Sequence, residues 1–164
     1  MNFPRCYLFN GLSDAQVNEI LSRSKETSVA KDQRIFTEGE QATALHLIKR
    51  GAVELMTKIE NAFELPIVIL RNPGDSFGTT ALIAPHLYSL SARCVEEGNL
   101  LVLERSDFEE LVEKDHKMGC IFMRNLARHY LERLKQTRQE LKMHFKTIFK
   151  SVHSREIEDR ISSE

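Results

Sequence analysis

Short runs of β-forming residues fill the middle of this 164-residue chain. Between about residues 28 and 105 these runs are separated by clusters of turn-forming residues, which are EGE, RG, EN, NPGD and EEGN. The runs themselves read SVAKDQRIF, ALHLIK, AVELMTKI, LPIVILR, SLSARCV and LLVLER. Many short strands with no helices between them predict an antiparallel sandwich or barrel and argue against a parallel α/β sheet.

Helical patterns flank the predicted strands. Near the N terminus, LSDAQVNEILSRS has an apolar face and a candidate capping box formed by Ser13 and Gln16. After the last strand, SDFEELVEKD carries a second candidate capping box, Ser106 with Glu109. A much longer helical pattern then begins near His116. The chain therefore combines helices at both ends with a central sheet, which is an α+β arrangement.

One very short helix is predicted inside the strand region. The segment DSFGTTALIA has cap-forming residues ahead of an apolar triplet, and Pro85 ends any helix there within a turn. We place this embedded helix at Thr79–Ile83. The whole chain is accordingly predicted to consist of a β-roll domain at residues 1–115, a long dimerisation helix at 116–153 and a polar tail at 154–164.

The long helix has a heptad pattern. With Leu131 at position a, seven of the eight a and d positions from 127 to 152 are apolar. A helix over residues 116–152 would be about 55 Å long, longer than a small domain is wide, so part of it needs a partner. We predict a parallel homodimer with the seam Ala127, Leu131, Leu134, Arg138, Leu141, Phe145, Ile148 and Val152. The alternative is packing on the chain's own sheet, which we expect for Met118, Ile121, Phe122 and Leu126.

Charge is divided unequally along the chain. The net charge is -1, but residues 1–123 are net -5 and residues 124–150 are net +6, with eight basic side chains against Glu132 and Glu140. An anionic partner explains such an excess, and so does a solvated helix face. No apolar stretch is long enough to span a membrane and the start lacks signal-peptide features, so we expect a cytoplasmic protein without membrane contact.

The sequence offers little catalytic or metal-binding chemistry. Its three cysteines are scattered and six histidines have no ligand spacing, so no metal site is predicted. His86 with Cys94 is the one pair worth testing for haem, against the simpler interpretation of loop and strand residues. No GxSxG, HExxH, Walker or GxGxxG motif is present, and we predict that the protein is not an enzyme.

Several segments together resemble the cyclic nucleotide-binding domain family, the sensor β-roll of catabolite activator-type regulators, kinase regulatory subunits and gated channels. They are LFNGLSDAQVNEIL, KDQRIFTEGEQATALHLIKRGAVEL, PGDSFG followed by ALI, SARC and LLVLERSDFEEL, and then the long helix. The resemblance covers about residues 8–150. It implies an antiparallel β-roll, of the double-stranded β-helix or jelly-roll type, with a short embedded helix, a flanking N-terminal helix and a long C-terminal dimerisation helix.

The resemblance also implies a phosphate-binding cassette, here FGTTALIAPHLYSLSARC from Phe77 to Cys94. In the family, backbone amides and a buried Arg hold a cyclic phosphate, and a Glu after the FG accepts the ribose hydroxyl. Aligned without gaps, the Glu position is Thr79 and the Arg position is Tyr88, so both charged anchors are absent. A gapped alignment would instead bring Arg93 into the pocket. The candidate ligand-binding residues are Gly78, Thr79, Thr80, Ala81, Leu82, Tyr88 and Ser89.

These observations predict a regulatory, ligand-sensing module that signals through a homodimer in bacterial signal transduction or transcription regulation. Cyclic AMP or cyclic GMP is the ligand that the resemblance implies, and the missing Glu and Arg argue against it. A different small ligand in the same pocket is a second prediction. The rival hypothesis is a ligand-free dimerisation or docking module with a degenerate pocket. DNA is a partner only if a helix-turn-helix follows Glu164.

Overall fold

The computed structural model describes residues 6–59 and 63–161, with side chains up to Phe149. The strands are β1 (Lys25–Val29), β2 (Arg34–Phe36), β3 (Ala44–Lys58), β4 (Glu64–Leu70), β5 (Ser76–Phe77) and β6 (Ser91–Glu104). The helices are α1 (Asp14–Arg23), α2 (Arg105–Lys114) and α3 (His116–Ile161). Two short 3-10 helices span Tyr7–Phe9 and Thr79–Leu82, and the second is called the embedded helix below.

All the strand pairs are antiparallel, and the main path through the sheet is β1-β6-β3-β4. The two short strands attach to the long ones, β2 to β6 and β5 to β3. This arrangement confirms the predicted α+β fold with an antiparallel roll, an embedded helix and helices at both ends.

Two of the predicted turns are bends within continuous strands. ALHLIK and AVELMTKI form the single strand β3, and SLSARCV and LLVLER form the single strand β6. The strands kink together, because Arg50 pairs with Asn99 and Ala52 with Glu96 in a shifted register. Gly98 permits this crossing, since a Cβ there would lie 1.9 Å from the Arg50 carbonyl oxygen. Conversely, the predicted run SVAKDQRIF is divided into β1 and β2 by a turn at Asp32, whose φ is 66°.

The N-terminal capping prediction is correct and the second one is wrong. Ser13 Oγ accepts a hydrogen bond from the Gln16 amide, and the Gln16 side chain accepts one from the Ser13 amide. Helix α2, however, begins at Arg105 with Glu104 as its N-cap, so Ser106 lies inside the helix. Glu109 forms an ion pair with Arg105 instead, one helical turn away.

The roll interior is a cluster of buried apolar side chains from several strands and the embedded helix. Its members are Val29, Phe36, Ala42, Ile48, Val53, Phe77, Ala81, Tyr88, Ala92, Cys94 and Leu100. The opposite face of β3 is also closed, since Leu45 and Leu47 are fully buried. Strands buried on both faces read as continuous apolar runs, which is why ALHLIK lacks a clean alternation.

Helix α3 starts in the first of two compact units and continues into the second. The units are Met1–Asn125 and Leu126–Glu164. In the first unit, Met118 and Phe122 are buried, and Asn125 donates hydrogen bonds to the carbonyls of Leu8 and Asn10. The helix runs past residue 153, where the sequence predicted its end, to Ile161. Within the described residues, no helix has the length and apolar character needed to cross a membrane.

Candidate functional site

The embedded helix begins at a glycine that no other residue could replace without strain. Gly78 is its N-cap and has a left-handed φ of 71°. A Cβ at this position would lie 3.0 Å from the Ala44 carbonyl oxygen and 3.2 Å from the Tyr88 ring. The Gly78 carbonyl then accepts a hydrogen bond from the Ala81 amide, 3.0 Å away. The FG dipeptide therefore brings the short helix into direct contact with β3.

Tyr88, at the position where the resemblance expects an arginine, lies inside the roll. It is 6% exposed, and its ring stacks on Phe36 with 3.6 Å between the centroids and 6° between the planes. Its hydroxyl accepts a hydrogen bond from the Ala44 amide and donates one to the Ala44 carbonyl, at 3.3 and 3.2 Å. Tyr88 is thus a buried aromatic side chain whose hydroxyl is satisfied within the roll.

The backbone around Tyr88 is also fixed by hydrogen bonds. Its amide donates to the Glu40 carbonyl at 2.9 Å, and its carbonyl accepts from the Gly39 amide at 2.8 Å. Two residues earlier, the His86 carbonyl accepts from the Ala42 amide at 2.7 Å. The segment after the embedded helix thus pairs with the loop ahead of β3, which fixes Tyr88 in the core from both its backbone and its ring.

His46 is a feature of this site that the sequence analysis missed. Its ring stacks on Phe77 at a centroid distance of 5.0 Å, and the side chain is 7% exposed. Its Nδ1 has no hydrogen-bond partner and lies 3.1 Å from where a Cβ of Gly78 would stand. Burial lowers the pKa of His46 to about 4. Period-two alternation with the apolar Ile48 was the sequence signal that this histidine points inward.

The structure separates the predicted ligand-binding residues into inner and outer positions. Ala81 and Tyr88 are buried in the roll core, whereas Ser89 is exposed. The remaining predicted residues are partly buried. They are Thr79, Thr80 and Leu82 of the embedded helix and its N-cap, Gly78. The predicted helix end at Ile83 is one residue late, since the helix ends at Leu82.

Arg93 makes its own ion pair with β3. Its guanidinium lies 2.7 Å from a carboxylate oxygen of Glu54, the residue directly opposite it in the β3–β6 register. Glu54 is 8% exposed, and its hydrogen bond raises the pKa of Arg93. The guanidinium that a gapped alignment would have supplied to the cassette is thus bound to Glu54.

The predicted dimer seam lies on exposed positions of α3. Its larger apolar members, Leu131, Leu134, Leu141, Phe145 and Ile148, are each 51–55% exposed. Ala127 and Arg138 are also exposed, and the side chain of Val152 lies outside the described residues.

The part of the chain that the structure describes contains no group of three or more His, Cys, Asp or Glu side chains placed to hold a metal ion. Of the pair considered for haem, Cys94 is buried and His86 donates a hydrogen bond from Nδ1 to the Ala81 carbonyl at 2.8 Å.

Comparison with known proteins is consistent with this geometry. Residues 26–115 match the family model described as the cyclic nucleotide-binding domain. The cyclic AMP receptor protein of Thermus thermophilus is 30% identical over 76% of this chain and 59% of its own length. The anaerobic regulatory protein of Bacillus subtilis is 25% identical over 82% of this chain and 57% of its own length. The chain thus spans less than two thirds of these relatives.

A solved structure gives the same result in three dimensions. The crystal structure of the Thermus thermophilus catabolite activator protein superimposes with a TM-score of 0.73 and 30% identity, over 84% of this chain and 62% of that one.

Proposed function

Because this chain belongs to the cyclic nucleotide-binding domain family, we propose that it is a regulatory module that senses a small ligand and signals through a homodimer. The embedded helix is the sensing element, and α3 carries the response. Bacterial signal transduction or transcription regulation is the setting that the Thermus and Bacillus relatives favour.

The observation that carries this proposal is the position of the embedded helix between the roll core and the helices. Ala81 of this helix is fully buried in the roll. One residue further on, Leu82 lines a cleft together with Phe108 of α2 and Met123 of α3. A ligand that displaces the embedded helix therefore changes packing at α2 and α3, which is how a small binding event shifts the population of two arrangements.

The ligand need not be a cyclic nucleotide. In the gap-free alignment the family's charged anchors fall at Thr79 and Tyr88, and Tyr88 is engaged with Phe36 and Ala44. Loss of the charged partner of a buried anion costs about 2–5 kcal/mol, which weakens binding by a factor of about 30 to several thousand. We therefore expect cyclic AMP and cyclic GMP to bind weakly, and a less charged small molecule to suit the cassette better.

Calorimetric titration of the whole chain with cyclic AMP and cyclic GMP, up to millimolar concentration, tests this view. The matched variant is the double substitution Thr79→Glu/Tyr88→Arg, which supplies both anchors. It should bind cyclic AMP at least about thirtyfold more tightly than the unsubstituted chain. Mass spectrometry of molecules that copurify with the unsubstituted chain would identify a native ligand.

Micromolar binding by the unsubstituted chain would contradict the importance given to Thr79 and Tyr88. Solution scattering with and without a bound ligand tests the signalling step, because the proposal requires a ligand-dependent change in dimer geometry. An unchanged scattering profile in the presence of a bound ligand would refute it.

The charges beside the α3 seam support parallel pairing. In the heptad that places Leu131 at a, the e positions are Arg128, Lys135, Lys142 and Phe149, and the g positions are Tyr130, Thr137, His144 and Ser151. A parallel dimer pairs each g with the following e of the other helix, so Lys135 faces Tyr130 and Lys142 faces Thr137, and no basic residue faces another. An antiparallel dimer would pair e with e and bring basic side chains together, which is unfavourable.

Cys120 provides a direct test of that orientation. It lies seven residues before Ala127, at the same d position of the heptad, and it is exposed, whereas Cys6 and Cys94 are buried. Parallel helices in register bring the two copies of Cys120 face to face. Mild oxidation should then give a disulfide-linked dimer that Cys120→Ser abolishes. If a dimer persists in sedimentation experiments but does not crosslink through Cys120, the parallel arrangement in register is wrong.

The second candidate function is a ligand-free dimerisation or docking module. The observation that favours it is the satisfied, stacked Tyr88 in the family's anchor position. This alternative predicts no binding in the titrations and no copurified molecule, with an unchanged dimer. A DNA-binding role would require a domain following Glu164, which the open reading frame would reveal.

A further inference from the structure

A cleft of about 330 Å³ lies on the outer side of the embedded helix, apart from the roll interior. Its apolar walls are Leu82 of the embedded helix, Phe108 and Val112 of α2 and Met123 of α3. Arg105, Glu109 and Glu113, which follow one another at four-residue intervals along α2, form its charged edge. The volume is at the lower end of the roughly 300–1,000 Å³ range of small-molecule pockets.

Two walls of the cleft are held in place by close packing. Phe108 contacts Phe122 with 4.7 Å between ring centroids. Val112 lies against the backbone of α3 at Gly119, where a Cβ would stand only 2.7 Å from a Val112 methyl carbon. The walls contributed by Leu82 and Met123 are partly or largely exposed. The cleft thus has a rigid floor and an accessible entrance, which favours binding with little reorganisation.

The charged edge determines which ligand fits. Arg105 and Glu109 form an ion pair with 3.6 Å between Nε and Oε1, so their charges largely cancel. Glu113 forms no ion pair with any residue that the structure describes, and it is exposed. One positive and two negative side chains therefore leave the edge with a single negative charge. An apolar body with one positive charge complements this surface, whereas a carboxylate of the same shape would be repelled.

We propose that this cleft is a second ligand site, for small organic cations with an apolar or aromatic body. Its ligand would contact Leu82, the neighbour of the buried Ala81, and so would act on the same short helix as a ligand of the cassette. Binding at the cleft goes beyond the proposed function and does not depend on it, because it requires neither a cyclic nucleotide nor a dimer.

The test uses the isotope-labelled whole chain and two probes of similar size, 2-phenylethylammonium and 3-phenylpropionate, followed by amide chemical shifts. The ammonium probe should shift amides around Leu82, Val112 and Met123, and the carboxylate should bind at least several times more weakly. Glu113→Gln should weaken ammonium binding about two- to fivefold. The matched control is Glu110→Gln, on the same helix but paired with Arg23, which should leave the affinity unchanged.

A variant that fills the cleft separates this site from the cassette. Met123→Trp places a large ring at an exposed wall position and should abolish ammonium binding, while Met143→Trp, far along α3, should not. In the Thr79→Glu/Tyr88→Arg background, Met123→Trp should abolish ammonium binding but not cyclic AMP binding, whose affinity can change because both sites contact the embedded helix. Equal binding of both probes, shifts located elsewhere, or equal effects of the Glu110 and Glu113 substitutions would overturn the proposal.

Discussion

Apolar side chains are buried in the roll but exposed on the distal part of α3. In the roll, Leu45, Leu47 and Ile48 are completely buried, whereas Leu134 and Leu141 of α3 are 55% and 53% exposed. The roll therefore completes its own core, and its stability should not depend on protein concentration. The helix carries an equally apolar stripe without a covering surface, so its burial requires a partner and should follow mass action.

The first way to sharpen this comparison is Gly98→Ala in the roll, for which we expect the largest effect. The new methyl group would lie 1.9 Å from the Arg50 carbonyl oxygen, at the point where β3 and β6 bend together. Because both partners are strand backbone, neither can move away cheaply. We expect a loss of more than about 4 kcal/mol in the free energy of unfolding, measured by urea denaturation followed by circular dichroism.

Gly39→Ala is the matched control for the glycine substitution. Gly39 differs from Gly98 in having a positive φ, 86°, and nothing lies within 4 Å of its Cβ position. It should lose only about 1–2 kcal/mol, from backbone strain alone. Equal losses for the two variants would show that the crossing of β3 and β6 tolerates a side chain at position 98 and would contradict the expected clash.

The same crossing shows what the sequence could and could not predict. The capping box at Ser13 depends on neighbours in sequence, and it was predicted correctly, whereas the bounds of several strands were not. RG and EEGN contain turn-forming residues, yet long-range pairing between β3 and β6 carries both strands through them. Whether a glycine ends a strand or bends it is decided by the partner strand, which a local pattern does not contain.

At the candidate site, too, some features were predicted from the sequence and others were not. The resemblance located the embedded helix to within one residue, and its gap-free alignment drew attention to Tyr88. It did not indicate that Tyr88 stacks on Phe36 and bonds to Ala44, since those residues lie more than 40 positions away in the chain. His46 was missed although its alternation with Ile48 was a local signal, and the pairing of β3 with β5 and β6 completes its burial.

The second prediction concerns pH and the interior of the roll. Burial lowers the pKa of His46 from 6.5 to about 4. Between these values the unfolded chain binds a proton that the folded chain does not, so stability falls as the pH is lowered from about 6.5 to about 4. The pKa shift corresponds to about 3 kcal/mol of unfolding free energy. This contribution is fully present above pH 6.5 and is lost by about pH 4.

Comparing two variants separates the contribution of His46 to this pH dependence from that of carboxylates that titrate in the same pH range. His46→Leu keeps a similar volume, removes the unpaired Nδ1, and should flatten the fall in unfolding free energy between pH 6.5 and 4. His144→Leu, at an exposed position on α3, should leave the fall unchanged. An identical pH dependence in the His46 variant would mean that the buried ring does not stay neutral in the folded state.

The smallest effect is expected at the seam, and it should appear in association rather than in folding. Leu141→Ala removes an apolar side chain from both helices of the proposed dimer and should weaken it by about 2 kcal/mol, or about thirtyfold in Kd. The unfolding of the roll should change by less than about 0.5 kcal/mol. Sedimentation equilibrium measures the first quantity and urea denaturation the second. Met143→Ala, which removes a 65% exposed side chain outside the seam, should alter neither. If Leu141→Ala and Met143→Ala gave the same Kd, the a and d stripe would not be the contact surface, and the exposed leucines of α3 would have to be covered by something other than a second copy.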